Sequence, residues 1–401
     1  MSAQPDLHGA IAHLAAIERG ACSPGEREAA EWIAERLRAE GCEVAVEEEP
    51  SFASYAPAMS VLGAASIAAG VAALRGGRGA RLVSAVVAAG AAAAIAEDAV
   101  NGPRLLRRLL MRKRPTTNVV ARTGDPEGSE TLVVLAHHDA HPTAFLFDQS
   151  GERAFAERFP GIYARTGSVP FWWPVIGSPL LIALGALSGR RALTRIGIGG
   201  SLLALAAALD LSRRRIVPGA NDNLSAVAGL IGVAAALRER PVPGVRVLLV
   251  SCGAEETLQG GIYGFVESHA GELDPARTSF LNFELLGAVH HVLLEGEGPL
   301  WIEDYTGPEL RDRIERAAAA AGVPMRRGVR IHVSTDSVVP SRAGYAIATL
   351  ITVDELGMIP NYHLMADTPE NIAPGGIEGG VAIAIALAAE LSPWPPPRSP
   401  A

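Results

Sequence analysis

Residues 131–140 read TLVVLAHHDA, an apolar run that ends in two histidines and an aspartate. Uninterrupted apolar runs of this length are typical of strands that are buried on both faces of a parallel sheet. Similar runs occur at residues 245–250, 279–283 and 348–353. Helical patterns lie near residues 224–238, 256–269, 307–321 and 377–391. This alternation of strands and helices predicts an α/β fold whose mostly parallel sheet is covered on both faces.

The composition is that of a globular protein with some membrane-like segments. The 401 residues include 35 Lys+Arg and 43 Asp+Glu, a formal net charge of −8, so nucleic acid is not expected as a partner. Apolar residues make up 49% of the chain, and the mean hydropathy of +0.22 lies between values usual for soluble enzymes and for polytopic membrane proteins.

Three scattered cysteines favour a reduced, intracellular setting. Residues 1–16 show no secretory signal pattern.

Two pairs of uncharged segments interrupt the α/β pattern. Each pair encloses a short basic turn, and the four uncharged segments are 51–74, 82–96, 166–189 and 196–209. Each pair predicts an apolar helical hairpin inserted into the α/β domain. The first arm of each hairpin is long enough to span a bilayer, which takes about 20 residues, and the second arm is marginal.

The residues that flank the hairpins favour a membrane location. Aromatic residues at the start of the first arms resemble an interfacial belt; they are Phe52, Tyr55, Phe171, Trp172 and Trp173. Basic clusters follow at residues 104–114 and 213–215, and the first is amphipathic, as expected of a helix in the headgroup layer. Membrane association through residues 51–98 and 166–212 is therefore the favoured interpretation. A soluble cap or a dimer interface is the alternative.

The distribution of basic residues favours a catalytic domain on the cytoplasmic side. Nine Lys and Arg residues flank the hairpins on the domain side and six lie at the tips, and cytoplasmic segments carry the excess of these residues. If the hairpins do not enter a membrane, we expect the whole protein to be cytoplasmic.

Potential metal ligands recur where the predicted strands end, which is the edge at which α/β sheets place their sites. The first strand runs into His137, and Asp139 can hold the second nitrogen of that imidazole. The adjacent pair Glu255 and Glu256 follows another strand. Because neighbouring buried carboxylates repel, the pair predicts distinct roles, one as a metal ligand and one in proton transfer. The remaining candidates are Asp222, Glu284 and His363.

This set of donors contains nitrogen and oxygen but no thiolate. Such a mixture suits zinc in a hydrolytic site that keeps open positions, although manganese or cobalt could occupy it. Two further imidazoles nearby, His138 and His141, are interpreted as spectators.

The order of these motifs resembles that of the co-catalytic dizinc exopeptidases, which include bacterial leucine aminopeptidases, glutamate carboxypeptidases and glutaminyl cyclases. The shared pattern is His-x-Asp, Gly-Ala-x-Asp-Asn-x-Ser, Glu-Glu followed by Gly-Gly, an acidic residue after a strand, and His before Asp-Thr-Pro-Glu-Asn. It covers residues 116–150 and 216–391 well and residues 1–50 loosely. Glu284 departs from it, because this family usually has Asp at that place.

The resemblance implies a three-layer, phosphorylase/hydrolase-like α/β domain with a central mixed, mostly parallel sheet. Its segments would be residues 1–50, 115–165 and 216–391. The first apolar hairpin and its basic amphipathic segment would be an insertion at 51–114, and the second hairpin an insertion at 166–215. Residues 392–401 would form a disordered Pro-rich tail.

By the same resemblance, two zinc ions share Asp222. His137 and Glu284 would complete one site, and Glu256 and His363 would complete the other.

The resemblance also implies that Glu255 is the base that activates water and that Asp139 is the partner of His137. The implied reaction is hydrolysis of a peptide or related amide bond in a peptide, aminoacyl or acyl-amino-acid substrate, with aminopeptidase as the commonest activity of the group. The alternatives are a single-metal acyltransferase of the glutaminyl cyclase kind and a non-catalytic membrane scaffold that keeps the fold.

Overall fold

The computed structural model of the chain describes residues 5–166 and 170–393. The strands of these residues form one mixed sheet. They are β1 (Glu43–Ser51), β2 (Arg114–Gly124), β3 (Glu130–His137), β4 (Val245–Cys252), β5 (Thr278–Phe283), β6 (His290–Glu297), β7 (Glu303–Asp304), β8 (Met325–Ile331) and β9 (Ala346–Val353). Their order in the sheet is β1-β2-β4-β3-β5-β9-β6-β7, and β8 pairs with β6. Most of the predicted tail, from residue 394 onward, lies outside the described residues.

The parallel pairing is concentrated in the centre of the sheet. Strands β4, β3, β5 and β9 run parallel to one another. Strands β1, β2, β6 and β7 are antiparallel to their neighbours in the order above, whereas β8 is parallel to β6. The predicted α/β fold with a mixed central sheet is therefore confirmed.

The helices of the described residues belong either to the α/β domain or to the two insertions. They are α1 (Leu7–Ala15), α2 (Pro24–Ala39), α3 (Ala56–Arg75), α4 (Arg78–Ala99), α5 (Leu105–Leu110), α6 (Ser150–Arg158), α7 (Pro160–Thr166), α8 (Trp172–Ser188), α9 (Arg191–Leu211), α10 (Ser225–Glu239), α11 (Gly260–His269), α12 (Pro308–Ala320), α13 (Val338–Arg342) and α14 (Gly376–Leu391).

The sheet is covered on both faces because alternate residues of each strand point in opposite directions. Leu132 and Val134 of β3 pack in one core with α1, α2, α10, α12 and α14. Val133 and Leu135 of the same strand pack in a second core with α11 and α13. The two cores lie between the sheet and the helices on its two faces. The resulting three layers hold the carboxyl edge of the parallel strands in place.

The two insertions pack together as one four-helix bundle, although they are far apart in the sequence. Helix α3 contacts α4 and α9, and α8 contacts α4 and α9. Small residues line the contacts: a Cβ atom on Gly70 would lie 2.5 Å from Ile198, and one on Gly197 would lie 2.5 Å from the Ser178 carbonyl oxygen. Large apolar residues point outward instead, among them Val86, Leu187 and Leu203.

Four segments of the described residues are long and apolar enough to cross a membrane by length and composition. Residues 220–239, which include α10, are 94% buried. Because a helix that is apolar all round is explained by burial in a core, that segment needs no membrane. The buried share is only 44% for α3, 33% for α4 and 22% for α9, and α8 is a shorter apolar helix.

The basic segment after the first hairpin differs from its prediction. Within residues 104–114 only α5 is helical. Two arginines of the predicted basic face, Arg104 and Arg107, are buried. Arg107 forms a forked ion pair with the buried Asp98, with nitrogen–oxygen distances of 2.9 and 3.2 Å. It also donates a hydrogen bond of 2.7 Å to the carbonyl oxygen of Thr257 in the α/β domain. The expectation of a headgroup layer is wrong for these two arginines, because acceptors inside the protein hold them.

The Arg107–Asp98 pair should be required for stability. Arg107→Met leaves a buried carboxylate without its cation, which costs about 3–5 kcal/mol in free energy of unfolding. We expect a lower midpoint of thermal unfolding by circular dichroism and partial recovery in the double variant with Asp98→Leu. The matched control is Arg27→Met, which removes an exposed i,i+4 pair with Glu31 and should change little. Equal midpoints for Arg107→Met and the wild type would contradict this expectation.

Candidate metal centre

The candidate ligands meet because parallel strands end at the same edge of the sheet. His137 is the last residue of β3, and Glu284 directly follows β5. Strands β3 and β4 are in register, with His137 opposite Cys252. A short turn after Cys252 carries Glu255 and Glu256 to the same edge. Strand topology therefore explains how residues nearly 150 positions apart reach one site.

Asp222 lies between the two histidines, with one carboxylate oxygen toward each. His137 Nε2 is 3.3 Å from Asp222 Oδ1 and 3.4 Å from Glu284 Oε2. His363 Nε2 is 3.2 Å from Asp222 Oδ2 and 3.2 Å from Glu256 Oε2. The structure thus brings together all five side chains that the sequence nominated as ligands, in two clusters that share Asp222.

The spacing of these donors suits tetrahedral zinc. Bonds from zinc to nitrogen or oxygen are about 2.0–2.2 Å long, so two donors on one ion lie roughly 3.3 Å apart. The observed distances of 3.2–3.4 Å match this value. Glu256 Oε1 is buried and has no hydrogen-bond partner among the described residues, which leaves it available to a cation. The donors therefore fit a metal centre.

The electrostatics of the centre favour cations. Burial raises the pKa of Glu256 to about 7 and raises the pKa of Glu284, and their carboxylate neighbours add to the effect. Although burial opposes it, hydrogen bonds from His137 and His363 hold the pKa of Asp222 below its usual value. Crowded, buried carboxylates repel one another, and a bound divalent cation relieves that repulsion.

Glu255 stands apart from the closest set of donors. Its Oε2 atom is 3.9 Å from His137 Nε2, farther than the carboxylate oxygens of Asp222 and Glu284. Burial raises the pKa of Glu255 well above its usual value, and the carboxylate of Asp336 adds to that shift. A carboxylate near a metal centre, but outside its nearest donors, has the geometry of a base.

Asp139 has a second contact besides the one predicted. Its Oδ1 is 3.5 Å from His137 Nδ1, the contact that the sequence suggested, and its backbone carbonyl oxygen lies nearer to the same nitrogen, at 3.2 Å. Its two carboxylate oxygens also accept hydrogen bonds from the backbone N–H groups of Glu255, at 2.9 Å, and Glu256, at 3.1 Å. One buried carboxylate therefore fixes the turn that carries both glutamates.

Asp367, which the sequence showed only as part of a motif, holds the loop that carries Asp222. Its two oxygens accept hydrogen bonds from the backbone N–H groups of Asn221, at 2.7 Å, and Asp222, at 3.0 Å. Asn223 ties the same loop to β5 by donating to the Phe283 carbonyl oxygen at 3.1 Å. The Asp-Thr-Pro-Glu-Asn motif beside His363 was the available signal for this role.

Sequence reasoning also missed Arg19, which is fully buried. It donates hydrogen bonds to the carbonyl oxygens of His138, at 2.9 Å, and Gly219, at 3.3 Å. It thereby joins the end of β3 to the loop of Asp222. Burial lowers the pKa of Arg19 to about 10, so the guanidinium stays charged at neutral pH. An isolated arginine in a loop gives no local signal of such a role.

The two extra imidazoles differ in position. His138 is buried behind the site, with Nδ1 3.0 Å from Ser251 Oγ. His141 stacks on His363, with ring centroids 4.0 Å apart, and its side chain comes close enough to His363 and Glu256 to form a possible metal cluster with them. However, His141 Nε2 pairs with Tyr55 Oη at 3.0 Å and Nδ1 pairs with the Pro142 carbonyl oxygen at 2.7 Å. Both nitrogens are therefore engaged, which favours Asp222 as the third donor beside His363.

Residues next to the hairpins form an aromatic wall beside His363. Tyr55 precedes α3, and its ring contacts Trp172 at the start of α8. Phe147 packs edge-on against His363 at 4.5 Å between ring centroids and stacks against Phe171 at 6.4 Å. The insertions thus approach the metal centre itself.

Comparison with known proteins agrees with this fold. The profile of Peptidase family M28 matches residues 201–388. Among solved structures, a leucine aminopeptidase precursor from Bacteroides thetaiotaomicron has a TM-score of 0.55 at 12% identity, over 97% of this chain and 99% of that one. A glutaminyl cyclase from Fimbriiglobus ruber has a TM-score of 0.55 at 15% identity, over 98% and 99%. A Zn-dependent exopeptidase from Parabacteroides distasonis has a TM-score of 0.52 at 14% identity, over 98% and 100%. No curated protein matches the sequence.

These findings confirm the resemblance predicted from the order of the motifs. The likeness to the solved structures establishes the fold, and the family match covers the segment that carries Asp222, Glu255, Glu256, Glu284 and His363. Together they support a metallohydrolase similar to the M28 peptidases.

The two hydrogen bonds to Asp367 should be needed for strong metal binding. Asp367→Asn replaces one accepting oxygen by an N–H donor, so the loop of Asp222 loses a bond. We expect zinc affinity to fall about 10-fold to 100-fold, measured by competition with a chelating dye. Glu370→Gln changes an exposed carboxylate of the same motif and serves as the control. Equal zinc affinity for Asp367→Asn and the wild type would show that the loop does not depend on this carboxylate.

Proposed function

We propose that the protein is a zinc-dependent exopeptidase, an aminopeptidase that hydrolyses peptide or related amide bonds with two zinc ions. The observation that carries this proposal is the shared position of Asp222 between His137 and His363. A carboxylate with one oxygen toward each cluster is suited to bridge two cations. Manganese or cobalt would fit the same donors.

The residues of the site have two roles, metal binding and proton transfer. His137 and Glu284 would hold one ion, Glu256 and His363 the other, and Asp222 both. When bound, the ions supply Lewis acidity toward the scissile carbonyl and toward water. Glu255 accepts the proton of the attacking water and returns it to the leaving amine.

The surroundings of the centre support an exopeptidase. The donor residues are nearly excluded from solvent, with 2% of His137 and 4% of His363 exposed. The aromatic wall closes the side next to His363. A buried centre with an aromatic wall on one side favours the end of a peptide chain over its interior.

The rival activity is that of a single-metal acyltransferase, since a glutaminyl cyclase is among the similar structures. A second donor cluster at His137, Asp222 and Glu284 favours two metals instead. A non-catalytic scaffold has less support, because Glu255 and all five donors are in place. Elemental analysis separates the first two, since a single metal per fully active chain would favour the cyclase-type reaction.

The different roles of the adjacent glutamates can be tested directly. Glu255→Gln should lower turnover by about 100-fold or more, because the proton acceptor is lost, while metal content stays near that of wild type. Glu256→Gln should lose metal. Both are measured on zinc-loaded protein with aminoacyl and N-acyl amino acid substrates, together with elemental analysis. Turnover by Glu255→Gln at the wild-type rate would overturn the assignment of the base.

We further propose that the four-helix bundle of α3, α4, α8 and α9 enters a membrane, with the catalytic domain on the cytoplasmic side. Small residues inside and large apolar residues outside are the arrangement of helices packed in lipid. The tips carry exposed arginines, including Arg75, Arg78, Arg190 and Arg191. At the opposite end Trp173 is 55% exposed, where an interfacial aromatic residue is expected.

The membrane proposal predicts that the protein stays in the membrane fraction after a carbonate wash. Gly77→Cys, at an exposed tip, should react with an impermeant maleimide added to intact cells, because the tip lies across the bilayer from the domain. The three native cysteines are buried or half-buried, and a wild-type sample gives the background. Release by carbonate would leave the bundle as a soluble cap or dimer interface, and labelling only after lysis would reverse the orientation.

A further inference from the structure

Gln259 contacts the proposed base on its side away from the metal ligands. Its Nε2 atom donates a hydrogen bond of 2.8 Å to Glu255 Oε1 and one of 2.9 Å to the Ser334 carbonyl oxygen. The other carboxylate oxygen of Glu255, Oε2, is the one that faces His137. The bond from Gln259 therefore fixes one oxygen of the base and leaves the other to accept a proton.

Asn101, from the segment after the first hairpin, holds Gln259 in turn. Its Nδ2 atom donates to Gln259 Oε1 at 2.7 Å and to Ser334 Oγ at 2.9 Å. Both Asn101 and Gln259 are buried, with 8% and 1% of their surface exposed. The two amides thus form a chain of hydrogen bonds that runs from the insertion to the base.

The chemistry of the acceptors sets the direction of these hydrogen bonds. A backbone carbonyl oxygen and a carboxylate only accept, so the nitrogen of Gln259 must face both Ser334 and Glu255. Its oxygen must then face Asn101, which has to present its own nitrogen. An acceptor at position 101 would leave two oxygens opposed in a buried place, which is unfavourable.

Asn101 is itself tied to the α/β domain on several sides. Arg104 Nη2 donates to Asn101 Oδ1 at 2.8 Å, and Tyr263 Oη donates to the Asn101 carbonyl oxygen at 3.2 Å. Arg104 also bonds the Leu258 carbonyl oxygen. The end of the first hairpin is therefore fixed against the turn that carries Glu255.

The turn needs such support because its backbone is unfavourable. Leu258 and Gln259 have φ angles of +74° and +59°, in the left-handed region that side chains with a Cβ rarely adopt. Such residues keep this conformation only when their surroundings hold them. The bonds from Arg104, Arg107 and Asn101 provide that restraint.

We propose that Asn101 and Gln259 are positioning residues for Glu255, so that the first insertion is a working part of the active site. This inference rests on the proposed role of Glu255 as the base. Asn101 acts only through Gln259, and Gln259 orients the carboxylate without touching the metal ligands.

The test combines kinetics, zinc content and crystal structures of zinc-loaded variants. Gln259→Met keeps the length of the side chain without its donor, and Asn101→Asp replaces the donor by an acceptor. We expect each to lower kcat about 10-fold to 100-fold, the loss usual for a catalytic group displaced by about 1 Å, with KM and zinc content unchanged. The double variant Asn101→Asp, Gln259→Met should lose no more than Gln259→Met alone, because the two residues act in series.

Tyr263→Phe is the matched control, since it removes a bond to the Asn101 backbone while leaving the side-chain relay intact. It should keep kcat within about twofold of wild type. Independent additive losses in the double variant, or a loss of zinc that parallels the loss of kcat, would overturn the relay.

The crystal structures separate this inference from the proposed function. A rotated Glu255 carboxylate in Asn101→Asp, but not in Tyr263→Phe, supports the positioning role even if no substrate is turned over. An unmoved Glu255 in Asn101→Asp overturns it. A wild type inactive on every aminoacyl and acyl-amino-acid substrate counts against the peptidase alone.

Discussion

The interaction on which the rest of the structure depends is the contact of Asp222 with two histidines inside a buried group of carboxylates. Charged groups of one sign are costly to bury together, so each must be matched by donors or by cations. The protein meets this requirement with two sets of side chains. The two histidines face Asp222 directly, and buried acids and amides behind them hold the backbone of the loops that carry the ligands.

The side chains behind the ligands make contacts as specific as those of the ligands themselves. Asp139 fixes the turn of Glu255 and Glu256, and Asp367 fixes the loop of Asp222. Arg19 places a buried positive charge behind both. Each of these groups bonds to backbone atoms, so the ligand geometry depends on main-chain positions that side-chain rotation cannot change.

The insertions bear on both flanks of this centre. On one side Tyr55 pairs with His141, which stacks on His363. On the other side Asn101 reaches Glu255 through Gln259. A bundle with small residues inside and large ones outside is suited to lipid. A membrane location would therefore determine the orientation of the site relative to the bilayer as well as the localisation of the protein.

The sequence by itself determined the four central strands, β3, β4, β5 and β9, and the candidate ligands, because both leave local patterns. Buried strands show as apolar runs such as residues 131–136, and ligands show as polar residues where those runs end, as at His137 and Glu284. It also separated the apolar hairpins from the α/β pattern, since uncharged stretches are visible without any structure. The motif order then gave the family resemblance.

Only the tertiary structure decided which distant residues support the site. Arg107 belongs to an amphipathic pattern in the sequence, yet Asp98 and a carbonyl oxygen draw it inside. Asn101 and Gln259 are separated by 158 positions, and His141 acquires its place by stacking on a residue near the other end of the chain. Such contacts depend on how loops and insertions pack in space, and packing between distant segments leaves no periodic or local mark in the sequence.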